Sequence, residues 1–176
     1  MNKTTLAALV FTVLTSVARA QDTPVADVAV GYGFIEVPQG FTFMMHGGNA
    51  AVAVNANNWL GFVGDFGAYH AHPGVSLTTE TYTFGPRFSY RALDRFTPFA
   101  QLLLGGQHAS AVTTGFTDAS NAFAIGAGGG FDIDLDRRGR IALRPQIEYF
   151  GFRAKGVTTT TARLSIGIVF RIGKKS

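Results

Sequence analysis

Apolar residues alternate with small or polar residues along most of the chain after residue 20. In the clearest run, the residues of one parity are all apolar: Leu164, Ile166, Ile168, Phe170 and Ile172. A period of two is that of a β-strand, whose successive side chains point to opposite faces. Eight such runs can be followed, over residues 27–34, 50–55, 60–69, 81–91, 99–105, 123–133, 141–149 and 163–172. The pattern therefore predicts an all-β chain with eight strands.

The charged residues follow the same alternation. In each of three runs the two charges share a parity: Arg87 with Arg91, Arg144 with Glu148, and Arg163 with Arg171. The opposite face of each run carries no charge and consists largely of Phe, Tyr, Leu, Ile and Val. This division predicts that one surface of the sheet faces an apolar environment, because successive residues of a strand lie on opposite faces.

The gaps between the runs alternate in length. Short gaps follow the even-numbered runs, over residues 56–58, 92–95 and 135–140. Long gaps follow the odd-numbered runs, over residues 36–48, 70–79, 108–121 and 153–160. Short periplasmic turns and longer extracellular loops are typical of outer-membrane barrels. We therefore expect an eight-stranded antiparallel transmembrane β-barrel with both termini at the short-turn, periplasmic end.

Composition separates two kinds of closed barrel. Only 15% of the residues are charged, 47% are hydrophobic, and 22 of the 176 are glycine. A soluble, exported lipocalin-like carrier of a small apolar ligand is the alternative, but its exterior would need many charged residues. A membrane barrel needs an uncharged exterior, because Lys or Arg at the bilayer midplane costs about 2–4 kcal/mol. Since small residues also suit the narrow lumen of eight strands, the sequence favours the membrane barrel.

The first twenty residues have the pattern of a cleaved secretory signal peptide. Lys3 precedes an apolar stretch over residues 6–17, and Ala18-Arg19-Ala20 is a small-x-small cleavage site. We expect residues 1–20 to be removed and residues 21–176 to form the barrel domain. Removal of Lys3 and Arg19 lowers the formal net charge from +4 to +2. No cluster of Lys and Arg with interleaved aromatic residues predicts a nucleic-acid partner, and the absence of cysteine excludes disulfides.

Eight charged residues are predicted to point into the lumen and to form a structural polar network: Asp27, Asp65, Arg87, Asp132, Arg144, Glu148, Arg163 and Arg171. Isolated charges in a narrow interior are costly, so they should pair. Asp27 and Arg171 are expected to meet where the first and eighth strands are neighbours, and Arg144, Glu148 and Arg163 lie on adjacent strands. These pairs would close the lumen, while a narrow ion path along the same residues remains an alternative.

No residue set predicts catalysis, a cofactor or a metal site. His46, His70, His72 and His108 fall in the predicted long loops, but none of them has a carboxylate at metal-ligand spacing. A loop-borne enzyme would need Ser76, Ser110 or Ser120 beside His70 or His108, and it is kept only as an alternative. Pro86 and Pro145 lie within strands and remove ladder donors, so a β-bulge is expected at each.

Four segments carry a family resemblance: WLGFVGDFGAYH (59–70), TYTFGPRFSYR (81–91), TPFAQLLLGGQHA (97–109) and ARLSIGIVFRIG (162–173). They resemble the small outer-membrane β-barrel domain family, which belongs with the OmpA-like eight-stranded barrels, and the likeness extends over residues 26–173. It implies a bacterial outer-membrane protein with an N-terminal signal. We further expect the protein to contact outer-membrane lipid, to bind any extracellular partner through its long loops, and to be a monomer. The resemblance carries over no catalytic residue. Phe170 is followed by six further residues where many members end on an aromatic, and no peptidoglycan-binding domain is expected.

Overall fold

The chain forms a closed antiparallel barrel of eight strands in the order β1 to β8. The computed structural model describes residues 23–39, 41–72, 76–113, 116–154 and 156–173. The strands are β1 Ala26–Gln39, β2 Phe41–Asn55, β3 Leu60–Ala71, β4 Ser76–Ser89, β5 Phe96–Thr113, β6 Phe116–Asp134, β7 Ile141–Ala154 and β8 Val157–Ile172. The predicted fold class is confirmed, and the predicted signal peptide lies outside the described residues.

The pairing of β1 with β8 closes the barrel. Its register runs from Ala26 opposite Ile172 to Ile35 opposite Arg163. We call the end that holds Ala26 and Ile172 the near end, and the opposite end the far end. Three turns lie at the near end, over residues 56–59, 90–95 and 135–140.

The segments predicted to be long loops are mostly strand, and the predicted loop lengths are wrong in this respect. β5 and β6 pair as far as Thr113 opposite Phe116, within the predicted loop 108–121. β1 and β2 likewise pair as far as Gln39 opposite Phe41. These segments have few large apolar residues on their outward face, so their alternation is weak and the sequence pattern does not reveal them.

The expected bulges at Pro86 and Pro145 are also wrong. Phe84 pairs with Leu104 and Arg87 with Gln101, so equal numbers of residues separate these pairs on β4 and β5 and the register does not shift. The pairing is interrupted only at Gly85 and Pro86. An equivalent interruption beside Pro145 separates the Gly130–Gln146 and Ile133–Leu143 pairs. Each proline therefore breaks the ladder on one side, where its missing N–H would have donated.

The two faces of the barrel have opposite chemistry. Large apolar side chains cover the outside, where Phe84 is 66% exposed and Leu164 is 56% exposed. Alanines, threonines and the charged residues named above line the inside. The interior also holds large apolar side chains, including Phe99, Leu103 and Phe150. Within the described ranges, no helix is long and apolar enough to cross a membrane.

Asp136 organises the turn between β6 and β7. Its carboxylate accepts hydrogen bonds from the backbone N–H groups of Arg140 at 2.7 Å, Ile141 at 2.9 Å and Arg138 at 3.2 Å. These bonds, that of Ile141 first, lower the pKa of Asp136 below its ordinary value of 3.8. Gly139 adopts φ of +62°, a conformation that side-chain-bearing residues rarely take. The turn is therefore fixed by its own side chain.

Candidate functional site

The candidate site is the polar interior of the barrel. All eight charged residues predicted for the lumen point inward from their strands and are largely removed from solvent. Seven are at most 4% exposed as whole residues, and the Arg171 side chain is 9% exposed. The period of two places them there, because each lies on the same face of its strand as the small residues.

Arg163 of β8 lies at the centre of the interior with two carboxylates. Its Nε donates to Glu148 Oε2 at 2.6 Å, and its Nη2 lies 2.7 Å from Asp65 Oδ1. Glu148 lies on the adjacent strand β7, opposite Arg163 in the register. Asp65 lies on β3, so the second ion pair crosses the lumen. The three side chains are at most 1% exposed, and we call them the central triad.

Neutral polar groups add hydrogen bonds to two members of the central triad, Glu148 and Arg163. Gln101 Nε2 donates to Glu148 Oε1 at 2.7 Å, and Gln146 Nε2 donates to Glu148 Oε2 at 3.2 Å. The Arg163 guanidinium also bonds the Tyr69 hydroxyl at 3.4 Å and lies 5.0 Å from the centre of the Phe150 ring. Glu148 thus accepts three hydrogen bonds, which offset much of the cost of burying its charge.

A second group of ion pairs lies toward the near end. Arg144 donates to both oxygens of Asp132, at 2.6 and 2.7 Å, in a bidentate pair. Arg171 Nη1 donates to Asp134 Oδ1 at 2.6 Å, and its Nη2 lies 3.7 Å from Asp132. The planar guanidinium of Arg144 matches both oxygens of the carboxylate, which is the geometry that arginine favours with carboxylates.

Asp27 and Arg171 face each other in the register but form no ion pair with each other in the described chain, so the expected pairing is wrong. Arg171 turns to Asp134, and Asp27 instead accepts from Arg91 Nη2 at 3.2 Å. Arg91 lies just after β4, at the near end and across the lumen from β1. It also donates to Asn55 at 3.1 Å. The sequence does contain a signal for these two partners. Arg91 has the same parity as the inward Arg87, and Asp134 has the same parity as the inward Asp132.

Arg87 has no carboxylate partner among the described residues. Its Nε donates to Gln101 Oε1 at 2.9 Å, and its guanidinium lies 4.7 Å from the centre of the Phe99 ring. The Arg144 guanidinium lies 4.8 Å from the same centre. The electron-rich face of an aromatic ring attracts a cation, so Phe99 partly substitutes for a counter-ion.

Glycines make room for these side chains. A Cβ atom on Gly128 would lie 2.4 Å from Glu148 Cγ, and one on Gly126 would lie 2.5 Å from the Phe150 ring. A Cβ on Gly67 would come within 2.6 Å of the Tyr69 ring. These distances are too short for carbon atoms, so these three inward glycines follow from the close packing of side chains around the central triad.

The histidines and serines lie at the far end. The rings of His46 and His70, which are opposite in the register, are 4.5 Å apart. Ser76 Oγ lies 3.4 Å from His72 Nε2. His108 Nδ1 lies 2.8 Å from Asn121 Oδ1, but no hydrogen bond joins it to Ser110 in the described chain. Within that part, no group of three or more His, Asp or Glu side chains has the geometry to hold a metal ion.

Comparisons with known proteins support the architecture. No protein-family profile and no curated protein matches the sequence. Neisserial surface protein A is similar in structure, with a TM-score of 0.72 and 12% identity over 84% of this chain and 97% of that one. Ail, the attachment invasion locus protein of Yersinia pestis, matches with a TM-score of 0.63 and 16% identity, over 85% and 99% of the two chains.

A third similar structure is the N-terminal β-barrel domain of OprF from Pseudomonas aeruginosa. It matches with a TM-score of 0.59 and 12% identity, over 85% of this chain and all of that domain. Identities this low establish the fold and leave the activity open. The chain has the fold of the small eight-stranded outer-membrane β-barrels.

Proposed function

We propose that the chain is an integral protein of the bacterial outer membrane, that its polar interior closes the lumen, and that its role is structural or surface-interactive rather than enzymatic. The inverted arrangement of the barrel, apolar outside and ionic inside, is the observation that carries this proposal. It favours a membrane protein over a soluble carrier, because a soluble barrel would place its charges on the outside.

The apolar exterior has the height expected for a bilayer. On β8, the outward side chains are apolar from Leu164 to Ile172, and a membrane strand needs about 9–11 residues. Toward the far end, polar residues take over the outward face: His46, His70, Glu80, His108 and Arg153. We infer that the bilayer surface lies just below these residues, and that the far-end hairpins extend into the medium.

Contacts across the lumen support a closed interior. The Arg163–Asp65 pair joins β8 to β3, and the Arg91–Asp27 pair joins the end of β4 to β1. Both link strands that are not neighbours, so each pair obstructs the axis of the barrel. This arrangement favours a closed barrel over a narrow pore.

The far-end hairpins are the proposed interaction surface. Ail, which shares the fold, is named for attachment and invasion, and the likeness supports a surface role here only as a proposal. The loop-borne enzyme is less well supported, because the Ser76–His72 pair has no carboxylate bonded to His72 among the described residues. A serine hydrolase needs a third group that orients the histidine.

Two experiments test the proposal. Membranes washed in high salt should retain the protein and detergent should release it; release by salt alone would exclude an integral barrel. In planar bilayers, the purified protein should form no large, stable channels, whereas a variant carrying Arg91→Ser and Arg163→Ser should conduct more. Heat-modifiable gel migration should show that both proteins are folded. Large channels from the unsubstituted protein would refute the closed lumen.

A further inference from the structure

A basic cup lies in the near-end mouth of the barrel. It has a volume of about 640 Å³, and its charged lining consists of five arginines and two aspartates: Arg91, Arg137, Arg138, Arg140, Arg171, Asp94 and Asp134. The structural ion pairs described above include Arg91 and Arg171, but none of them includes Arg137, Arg138 or Arg140. The lining carries a surplus of three positive charges.

The arginines at the rim of the cup form no direct ion pairs with carboxylates of the described residues. Arg137, Arg138 and Arg140 are exposed, and none forms an ion pair within the described ranges. The nearest acid in the chain, Asp136, uses its carboxylate to accept three backbone N–H groups of the same turn. The turn thus uses its acid in a structural role, and none of the three guanidinium groups forms an ion pair with it.

The two arginines at the floor of the cup are held by ion pairs and hydrogen bonds. Arg91 and Arg171 are held by Asp27 and Asp134, and their side chains are only 8% and 9% exposed. Arg171 Nη1 also donates to Gly139 O at 2.9 Å, and its backbone N–H donates to Arg140 O at 2.8 Å. Floor and rim are therefore joined by direct hydrogen bonds. The Nε atoms of Arg91 and Arg171 have no hydrogen-bond partner in the described chain.

The cup has a closed end. Above it, the bidentate pair of Arg144 and Asp132 and then the central triad fill the lumen. A cleft that is lined by one sign of charge and bounded by protein concentrates the electrostatic field. An anion that enters would therefore be attracted but would find no path through the barrel, which is the behaviour of a binding site.

We propose that the basic cup binds a phosphate-bearing anion. A phosphate group carries up to two charges and several acceptor oxygens, and the planar fork of arginine matches it in bidentate geometry. The volume exceeds that of a single inorganic phosphate, so it admits a pyrophosphate or the phosphate-bearing headgroup of a lipid. In the orientation proposed above, the cup opens toward the periplasm and the inner leaflet of the outer membrane.

The test uses the full protein in nanodiscs of zwitterionic lipid, titrated calorimetrically with inorganic pyrophosphate in low salt. We expect saturable binding at one site, weakened by added NaCl because salt screens charges. The triple variant Arg137→Gln, Arg138→Gln, Arg140→Gln should bind at least about tenfold more weakly, the loss expected for one charge-assisted hydrogen bond. No saturable binding, or unchanged binding by the triple variant, would overturn the proposal.

A matched pair of single variants excludes a general effect of charge. Arg138→Gln and Arg153→Gln each remove one exposed arginine, the first at the cup and the second at the far end. Only Arg138→Gln should weaken binding, and equal weakening by both would refute a local site. Nanodiscs that contain phosphatidylglycerol then identify the source of the phosphate. Both kinds of nanodisc are compared at a NaCl concentration that screens the charge of the bilayer surface. Weaker pyrophosphate binding with phosphatidylglycerol would then indicate that the lipid headgroup occupies the cup, and unchanged binding would indicate a soluble ligand.

Discussion

Replacement of Glu148 by glutamine tests how much the central triad contributes to the free energy of unfolding. The substitution keeps the shape of the side chain but removes its charge and one acceptor. The new amide group must face a donor, because Arg163, Gln101 and Gln146 all donate to the present carboxylate. At least one donor therefore loses its acceptor in an interior where Glu148 is fully buried.

The geometry gives the expected decrease in the free energy of unfolding. Breaking a buried ion pair costs about 3–5 kcal/mol, because it leaves an uncompensated charge. Asp65 still lies 2.7 Å from Arg163 and partly balances it, which places Glu148→Gln near the lower limit, at about 3 kcal/mol. Arg163→Met should cost more, because it leaves both Asp65 and Glu148 without a cation.

Urea unfolding of the barrel in phospholipid vesicles measures these losses. The single tryptophan, Trp59, reports folding through its fluorescence from the near end of the exterior. Arg153→Gln, on the exposed outer face, is the control and should change the free energy of unfolding by less than about 0.5 kcal/mol. The double variant of Glu148 and Arg163 should lose less than the sum of the single losses, because the two side chains interact. A loss below about 1 kcal/mol for Glu148→Gln would refute the reasoning.

Three further predictions use the same unfolding assay. Gly128→Ala should lower the free energy of unfolding by about 1–3 kcal/mol, because the added Cβ would lie 2.4 Å from Glu148 Cγ. Gly64→Ala should not lower it, because a Cβ there would have no atom within 4 Å. Equal effects of the two substitutions would contradict close packing around Glu148. Phe84→Arg should lower the free energy of unfolding by about 2–4 kcal/mol, and Val157→Arg at the far end by about 0–1 kcal/mol. The two side chains are similarly exposed, at 66% and 68%, but only Phe84 lies in the middle of the apolar exterior. Because the folded pKa of Asp136 is depressed, its contribution to stability is complete above the unfolded pKa and is lost as pH falls through the lower folded pKa. The difference in unfolding midpoint between the parent and Asp136→Asn should therefore shrink as pH falls from 6 to 3, and a constant difference would contradict this assignment.

The sequence predicts which side chains point inward, but not most of their partners. Parity places Arg163 and Glu148 on one face, and their pairing follows from adjacent strands. The Arg163–Asp65 contact crosses the lumen between strands far apart in the sequence, and no local pattern encodes it. Asp27 and Arg171 show the same limit, because they face each other in the register and still bind other partners.

Prolines and far-end strands show why the other predictions failed. The rule that proline belongs at a bulge assumes that the ladder must remain continuous on both sides of the strand. At Pro86 the chain instead loses pairing on one side only and keeps its register. At the far end, backbone pairing continues where the apolar pattern stops, because the outward side chains there include His46, His70 and Arg153. A hydrophobic pattern indicates where lipid could cover a strand, and the strand itself can be longer.

The interior pairs also account for how one register is chosen. A slip of two residues between neighbouring strands keeps every apolar side chain outside, because parity is unchanged. The exterior therefore discriminates poorly among such registers. A two-residue slip between β7 and β8 would move Glu148 from its position opposite Arg163, and it would leave a buried charge unpaired at a cost of about 3–5 kcal/mol. The apolar face thus determines which side of each strand meets the lipid, and the charged face determines which residues of neighbouring strands meet each other.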